Sequence, residues 1–405
     1  MAAPRCIENL EKMKKECVKV DGYHTNSSIE QEKVEAKIGE IFEKFATSSM
    51  KIPKLQRDKH LAYLNKGLKN LSESYQCLDA SRPWLCYWIL HSLELLGEKI
   101  SEEHASQVAQ FIGKCQHPEG GFAGGPGQYA HLAPTYAAVL ALATIGTKEA
   151  YEVVNREKLA SFLMRMRSPD GGFLMHEGGE IDVRGAYCAA VAARLTNIAT
   201  TEMFEGTPEW IASCQTYEGG FAGIPGMEAH GGYTFCAVAA LVLMGHDRLC
   251  DTEALIRWLS NRQMRFEGGF QGRTNKHVDG CYSLWQGGVF PLIHKILNSY
   301  GDNAVSTKCW MFDQNALQEY ILICCQSLNG GLIDKPGKVP DYYHTCYCLS
   351  GLSVAQHFAS GNLATTSVLG DPSNELVPVH PVYNIGVECA FQASKHYSTL
   401  PVPSL

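Results

Sequence analysis

"KCQHPEGGF" (114–122), "RMRSPDGGF" (165–173), "SCQTYEGGF" (213–221), "RQMRFEGGF" (262–270) and "CCQSLNGGL" (324–332) are variants of one motif. Their Gly-Gly pairs start at positions 120, 171, 219, 268 and 330. A glycine pair that follows a polar turn and separates long apolar segments marks a helix end and a tight connection. The motif therefore predicts one structural unit of about fifty residues that recurs along the chain.

The segments around the glycine pairs predict two helices per unit. "TYAAVLALATIG" (135–146) and "YTFCAVAALVLMG" (233–245) are apolar nearly all round, whereas "TEALIRWLSNRQ" (252–263) is amphipathic. An inner and an outer helix fit the period, and alternating strands do not. Because the apolar inner segments continue to both ends of the array, where an open solenoid has polar caps, we predict closure. The expected fold is all-α, an α/α barrel (toroid) of about six helical hairpins.

Composition and charge exclude several other classes of protein. The net charge of −7 over 405 residues, without a basic block, argues against nucleic-acid binding. Sixteen scattered cysteines, several of them in apolar runs, indicate reduced core thiols. The N-terminus has no secretory apolar region and no run is long enough to span a bilayer, so we expect a cytoplasmic protein. We predict a helical arm (1–60), the barrel (61–358) and a surface-wrapping tail (359–405).

Six inner segments open with the pattern X-x-x-Tyr, where X is Trp84, Ala133, Arg184, His230, Asp279 or His344. If the units are equivalent, all six X residues face the same mouth of the barrel. A packing position would repeat one residue type, as the tyrosine does. Variation at X among residues with reactive side chains therefore indicates a shared functional site.

A metal site is predicted where two adjacent units meet. Asp279 and His344 are X residues of neighbouring units, and Cys281 lies two residues after Asp279. Carboxylate, thiolate and imidazole are good zinc ligands, and three protein ligands leave a fourth tetrahedral position open, as in catalytic sites. An isolated Asp-x-Cys is more often without a metal, because it lacks paired Cys-x-x-Cys knuckles. The histidine at the matching register favours the metal interpretation.

Cations and aromatic residues predict what else this mouth binds. Arg184, His230, Arg273 and Lys276 cluster near it, and such donors suit a diphosphate. No Gly-x-x-x-x-Gly-Lys phosphate loop is present, so a nucleotide is not implied. The inner segments also carry many aromatic residues, which either fill a core or wall a cavity for a long hydrocarbon that ends in a diphosphate: Trp84, Trp88, Tyr136, Tyr187, Tyr233, Tyr282, Trp285, Tyr343 and Tyr347.

Two motifs, "HVDGCYSLWQGG" (277–288) and "GGLIDKPGKVPDYYHTCYCLSG" (330–351), resemble the β subunits of protein farnesyltransferases, in the protein prenyltransferase family. The resemblance runs from "SRPWLCYWILHSLELLG" (81–97) to "DYYHTCYCLSGLS" (341–353). It implies an α/α barrel that forms an obligate heterodimer with a helical-repeat α subunit. The implied reaction transfers a farnesyl group from farnesyl diphosphate to the cysteine of a C-terminal C-a-a-X motif, in proteins such as Ras-like GTPases.

The resemblance also assigns roles to individual residues. The zinc ligands are Asp279, Cys281 and His344, with Tyr282 and Lys276 as further catalytic residues. The implied diphosphate ligands are His230, Arg273, Lys276 and Tyr282, and the implied isoprenoid wall consists of Arg184, Tyr187, Tyr233, Cys236 and Trp285. The implied peptide pocket consists of Trp84, Trp88, His131, Ala133, Pro134 and Tyr343. Asp334 matches a carboxylate linked to magnesium assistance, and Trp84 a bulky residue that shortens the lipid cavity.

Three alternatives to a farnesyltransferase β subunit have distinguishing features. A geranylgeranyltransferase β subunit is disfavoured by Trp84 and Asp334. A triterpene cyclase on a related barrel would need an Asp-x-Asp-Asp protonation motif, which the sequence lacks. A non-enzymatic toroid that binds lipid would hold no metal and would tolerate Cys281→Ala without loss of partner binding.

Overall fold

The computed structural model describes residues 4–17, 22–49, 51–299, 311–357 and 366–404, and these residues form helices and loops without a β-strand. Their helices are α1 (Arg5–Cys17), α2 (Asn26–Thr47), α3 (Arg57–Lys69), α4 (Arg82–Leu95), α5 (Glu102–Cys115), α6 (Leu132–Ile145), α7 (Lys148–Glu152), α8 (Arg156–Arg165), α9 (Val183–Leu195), α10 (Thr207–Ser213), α11 (Gly231–Met244), α12 (Thr252–Ser260), α13 (Tyr282–Trp285), α14 (Val289–Ser299), α15 (Gln314–Glu319), α16 (Tyr342–His357) and α17 (Val387–Ser398). A π turn (Tyr320–Cys324) continues α15, a nine-residue 3-10 segment lies at Glu73–Ser81, and single 3-10 turns lie at Glu202–Phe204, Asp247–Leu249 and Pro372–Asn374. Among the described helices we find none that is both long and apolar enough to cross a bilayer.

Six helical hairpins form a closed double ring in the described part of the chain. The outer helices are α3, α5, α8, α10, α12 and α15, and the inner ones are α4, α6, α9, α11, α13 with α14, and α16. Each inner helix packs against the next, and α16 packs against α4. This last contact closes the ring, so the predicted α/α barrel is confirmed.

The Gly-Gly turns join neighbouring hairpins. Gly120 has φ +102°, and a Cβ there would lie 1.9 Å from the carbonyl oxygen of Lys158 on α8. Gly330 has φ +91°, and its Cβ would lie 2.2 Å from the carbonyl oxygen of Lys59 on α3. Only glycine satisfies both the backbone conformation and the close approach. The last turn therefore packs on the first outer helix, which adds a second contact across the closure.

The fifth inner segment consists of two helices, whereas each of the other five units has one continuous inner helix. The short helix α13 ends at Trp285, and α14 starts at Val289. Gly287 and Gly288 lie between them, and glycine is a poor helix former. Cys281 consequently lies in a loop turn, and the helix that follows it, α13, is only four residues long.

The register of the inner helices differs from the predicted X-x-x-Tyr alignment. The backbone N–H groups of His131, His230 and Asp279 donate to the carbonyl oxygens of the motif phenylalanines nine residues earlier, each at 3.0 Å. These three residues are therefore equivalent, and β-bridges place Asp182 and Asp341 at the same position. His344 lies three residues further into its unit than Asp279 does. The prediction that Asp279 and His344 occupy equivalent positions is wrong.

The physical reason is that in three of the units a threonine hydroxyl, and not the tyrosine, bonds the inner helix to the preceding motif. The Oγ1 atoms of Thr135, Thr234 and Thr345 accept hydrogen bonds from the third residue of the Gly-Gly-Phe or Gly-Gly-Leu motif, at 2.8 to 2.9 Å. A tyrosine follows this threonine in the α6 unit but precedes it in the α11 unit. The tyrosines thus occur at two different depths along the inner helices.

Two helices that precede the first hairpin are attached to the barrel through buried carboxylates. The Arg5 guanidinium bonds Glu319 at 2.7 Å, and Glu319 is fully buried. Gln31 on α2 donates to Glu267 at 2.6 Å, and Glu267 is 1% exposed. The predicted boundary between arm and barrel at residues 60/61 falls inside α3.

Glu267 gives a prediction about stability and pH. Burial raises the pKa of this carboxyl from 4.5 to about 7, so the folded protein binds more protons than the unfolded chain between these values. The free energy of unfolding then decreases as pH rises through this window, by up to about 3 kcal/mol. We expect Glu267→Gln to be more stable than the parent at pH 8 and nearly equal at pH 4.5, as measured by urea denaturation.

The exposed residue Glu40 on α2 provides the control, because Glu40→Gln changes the same charge without burial. A stability difference for Glu267→Gln that is the same at both pH values would contradict the prediction.

The C-terminal tail covers the barrel end that is opposite to the start of the inner helices. The N–H of Val377 donates to the carbonyl of Leu95 at the end of α4, and α17 packs on α6 and α9. Val382 and Ile385 are buried. The described tail is therefore partly internal, which corrects the expectation that it only wraps the surface. Its first residues, 359–365, lie outside the described residues.

Candidate metal and diphosphate site

The mouth of the barrel is formed by the first residues of the inner helices. At the start of five inner segments, a side chain accepts a hydrogen bond from a backbone N–H group two or three residues later. The accepting residues are His131, Asp182, His230, Asp279 and Asp341. Such caps fix the side-chain direction. The converging helix N-termini also give the mouth a positive potential that favours anions.

Asp279, Cys281 and His344 come together at this mouth. Their ligand atoms all lie within 4.8 Å of one another, and the Nε2 atom of His344 lies 3.3 Å from the Oδ1 atom of Asp279. Asp279 caps its own segment by accepting the N–H of Cys281 at 2.8 Å. The cluster therefore combines two residues of one unit, the capping Asp279 and Cys281, with the third residue of α16 in the next unit, His344.

A second carboxylate orients His344. Asp341 accepts the backbone N–H of His344 and also bonds its Nδ1 atom, both at 2.7 Å. This leaves Nε2 directed at Asp279. A histidine held through its other ring nitrogen by a carboxylate is typical of metal ligands. Sequence reasoning missed Asp341, although its spacing of three from His344 at a helix start was visible.

The charges around the cluster fit a bound cation. Burial, and then the charge of Asp279, raises the pKa of the Cys281 thiol well above its ordinary value. Burial disfavours protonation of His344, but its hydrogen bonds to Asp279 and Asp341 raise its pKa to about 10. His344 is therefore protonated between the carboxylates of Asp279 and Asp341, and a divalent cation bound here would replace that proton. Carboxylate, thiol and imidazole form a donor set that suits such a cation.

The Asp341 contact gives a second prediction. Asp341→Asn keeps the helix cap but removes the negative charge that orients His344, and we expect metal affinity to fall about 10- to 100-fold. Competition against chelators of graded strength measures this. Asp313→Asn is the matched control, because Asp313 caps α15 in the same way. Equal losses in both variants would contradict a specific role for Asp341.

His230 and Tyr282 form a proton-ordered pair beside the metal cluster. Burial, and then Arg273, lowers the pKa of His230, so its ring is neutral at pH 7. Its Nδ1 atom accepts the N–H of Gly232 at 3.1 Å, so the ring proton is on Nε2. Nε2 lies 3.0 Å from the Tyr282 hydroxyl and donates to it. The Tyr282 hydroxyl proton is thereby directed away from His230.

The predicted cations lie on the same rim but differ in their partners. Arg273 pairs with Glu228 at 2.5 Å, and Lys276 is exposed on the same turn. Arg184 forms two hydrogen bonds with Asp182, at 2.9 and 2.6 Å. Sequence reasoning missed both acidic partners. Arg184 and Arg273 are thus each paired with a carboxylate, whereas Lys276 is exposed to solvent.

An aromatic cavity of about 400 Å³ opens beside these residues. Its lining comprises Trp84, Trp88, Ala133, Tyr136, Met175, Arg184, Tyr187, Cys188, His230, Gly232, Tyr233, Cys236, Tyr282, Trp285, Tyr343 and Tyr347. His131 and Pro134 lie outside this lining, and Arg273 lines a neighbouring recess that shares His230 and Tyr233. Met175 and Cys188 were not predicted, because in the sequence a methionine and a cysteine in an apolar run look like ordinary core residues.

Comparison with known proteins decides the family. Residues 55–385 match the prenyltransferase α/α toroid domain. The chain is 42% identical to the protein farnesyltransferase β subunit of Arabidopsis thaliana, over 89% of this chain and 87% of the relative. It is 43% identical to that of Schizosaccharomyces pombe, over 80% and 86%.

The chain belongs to the protein farnesyltransferase β-subunit family. The type-1 geranylgeranyl transferase β subunit of Arabidopsis thaliana is less similar, at 32% identity over 74% of this chain and 85% of the relative. A solved structure of Candida albicans protein geranylgeranyltransferase-I with GGPP shares the fold, with a TM-score of 0.68 and 24% identity over 85% of this chain and 99% of that chain.

In this farnesyltransferase-family chain, Asp334 lies behind the metal cluster. Its carbonyl accepts the N–H of Gly280 at 2.8 Å and the Tyr320 hydroxyl at 2.9 Å. Its carboxylate pairs with Lys335 at 2.5 Å. Burial, and then the charge of Asp279, raises the pKa of Asp334. The residue thus supports the Asp279–Cys281 turn through its backbone, a role that the sequence did not indicate.

Proposed function

We propose that the chain is the catalytic β subunit of a zinc-dependent protein farnesyltransferase that works as a heterodimer with an α subunit. The substrates are farnesyl diphosphate and proteins that end in C-a-a-X. The observation that carries the proposal is the arrangement of the Asp279, Cys281 and His344 ligand atoms at the mouth of an aromatic cavity, beside the pair His230 and Tyr282. Its cytoplasmic location stays a prediction from the sequence.

One group of residues would activate the substrate thiol, and another would stabilise the departing diphosphate. A zinc ion held by Asp279, Cys281 and His344 would lower the pKa of the substrate cysteine and keep it as a thiolate. The thiolate sulfur forms a bond to C1 of the isoprenoid while the bond from C1 to the diphosphate oxygen breaks, and the thiol proton goes to solvent. The Tyr282 hydroxyl, Arg273 and Lys276 neutralise the charge that develops on the diphosphate.

The cavity supports a fifteen-carbon donor. Trp84 packs in its wall at 5.5 Å from Tyr136 and 5.4 Å from Trp88, between ring centroids, so its indole occupies space that a longer chain would need. We further propose that Tyr187, Tyr233, Cys236 and Trp285 contact the isoprenoid, and that Trp88, Ala133 and Tyr343 contact the peptide. Magnesium assistance through Asp334 would require its carboxylate to leave Lys335.

Transfer assays on the heterodimer test the proposal. Farnesyl or geranylgeranyl diphosphate is offered with a C-a-a-X peptide, and the metal content of the same sample is determined. We expect about one zinc per β chain and transfer of the C15 group at a far higher kcat/KM than the C20 group. A stable, metal-free heterodimer that transfers neither group would overturn the proposal and favour a lipid-binding toroid. Preference for the C20 donor would favour the geranylgeranyl enzyme.

A further inference from the structure

The C-terminal tail contains a tight loop, residues 380–385, at the closed end of the barrel. The N–H of His380 donates to the carbonyl of Ile385 at 2.6 Å, and that of Asn384 donates to the carbonyl of His380 at 2.9 Å. The His380 Nδ1 atom accepts the N–H groups of Val382 and Tyr383. Asn384 has φ +57°, a conformation that asparagine tolerates better than most residues. The loop therefore holds one shape through its own backbone.

Three tyrosines of neighbouring inner helices bond to this loop. The hydroxyls of Tyr87, Tyr136 and Tyr187 donate to three consecutive carbonyls, those of residues 384, 383 and 382, at 2.6, 3.4 and 2.8 Å. All three tyrosines are at most 2% exposed. Leaving a buried hydroxyl without a hydrogen-bond partner is unfavourable, so each ring is held in the direction that its carbonyl sets.

Besides bonding to the loop, these tyrosine rings lie at the aromatic cavity. Tyr136 and Tyr187 line it, and Tyr87 packs against Trp84 with 6.0 Å between ring centroids. The metal cluster lies at the start of the inner helices, whereas the tail contacts their ends, such as Leu95. The tyrosines consequently stand between the cavity and the tail, on the side away from the diphosphate.

We propose that the loop 380–385 limits the length of the isoprenoid by holding Tyr136 and Tyr187 across the closed end of the cavity. The inference rests on the proposed transferase function and goes beyond it, because it assigns a specificity role to a segment outside the barrel repeats. The loop residues are positioning residues, since they act through the two rings. Trp84 restricts the cavity from one wall, and the loop restricts it from the end.

The test measures the ratio of kcat/KM for geranylgeranyl diphosphate to that for farnesyl diphosphate with one C-a-a-X peptide. Tyr187→Phe keeps the ring and removes the bond to the loop, and we expect the ratio to rise about tenfold. Tyr136→Phe in addition should raise it further. Tyr397→Phe is the matched control, because it removes another buried tyrosine hydroxyl that donates to a backbone carbonyl, that of Tyr151 at 2.9 Å, outside the cavity lining; the ratio should stay within about twofold of the parent.

A second variant distinguishes a change in donor specificity from a loss of folding. Asn384→Gly tolerates the same backbone conformation but removes the hydrogen bond from the Asn384 amide to Tyr87, which is 3.0 Å long. We expect the ratio to rise about threefold with normal zinc content. An unchanged ratio in the correctly folded variants, or an equal rise in Tyr397→Phe, would overturn the inference. A parent heterodimer without transfer activity would instead overturn the proposed function.

Discussion

Replacement of Cys281 by alanine is expected to abolish both metal binding and prenyl transfer. Cys281 is 4% exposed and its sulfur belongs to the cluster with Asp279 and His344, so its removal leaves two of the three ligands. A catalytic metal contributes several kcal/mol of stabilisation to the transition state. Its loss corresponds to a fall in kcat/KM of about 1,000-fold or more. Elemental analysis and transfer assays on the heterodimer measure the two effects.

The control for Cys281 is another buried cysteine of the same region. Cys346 lies two residues after His344 and is fully buried, but it belongs to the helix interior and not to the metal cluster. Cys346→Ala should therefore retain about one zinc per chain. If Cys281→Ala also retained its zinc, the three-ligand site would be wrong, whatever the activity of the variant.

Replacement of Tyr282 by phenylalanine is expected to lower kcat about 100-fold, because a positioned donor acts on charge that develops only in the transition state. His230 donates to the Tyr282 oxygen and so leaves the phenolic proton for the departing diphosphate. Ground-state affinity for farnesyl diphosphate should change less than threefold, since Arg273 and Lys276 remain. Rapid-quench measurement of single turnovers separates the chemical step from product release.

An exposed tyrosine of the same rim tests the specificity of this effect. Tyr129 is 90% exposed, and Tyr129→Phe should leave the single-turnover rate within twofold of the parent. A loss of affinity in Tyr282→Phe with an unchanged rate of the chemical step would contradict the donor role. It would instead make Tyr282 a residue that only binds the diphosphate.

The closed ring could be predicted from the sequence because both of its determinants are local. Glycine pairs recur at intervals of 48 to 62 residues, and the inner segments stay apolar to the ends of the array, so each unit and its closure were visible. The metal cluster was also predictable, since Asp279 and Cys281 are two residues apart and His344 lies in the first turn of the next inner helix. Their close approach required only that neighbouring units lie side by side.

The register and the acidic partners could not be predicted in the same way. Tyr136 and Tyr233 look equivalent in the sequence, yet in their two units it is Thr135 and Thr234 that bond the preceding motif and set the register. Asp182, Glu228 and Asp341 resemble ordinary polar residues until their guanidinium or imidazole partners are placed. The tail was misjudged because proline and glycine in it suggested a surface segment, whereas its backbone carbonyls satisfy buried tyrosine hydroxyls.

The contact between the last Gly-Gly turn and α3 has a consequence for how such barrels diverge. An open array gains or loses units at its ends with a small change in stability, because each unit contacts only its neighbours. Here the loss or duplication of a single hairpin would break the interfaces α16–α4 and Gly330–Lys59 together. Duplication is thus not a route to a wider lumen. New substrates must be accommodated by replacement of side chains inside a ring of fixed circumference.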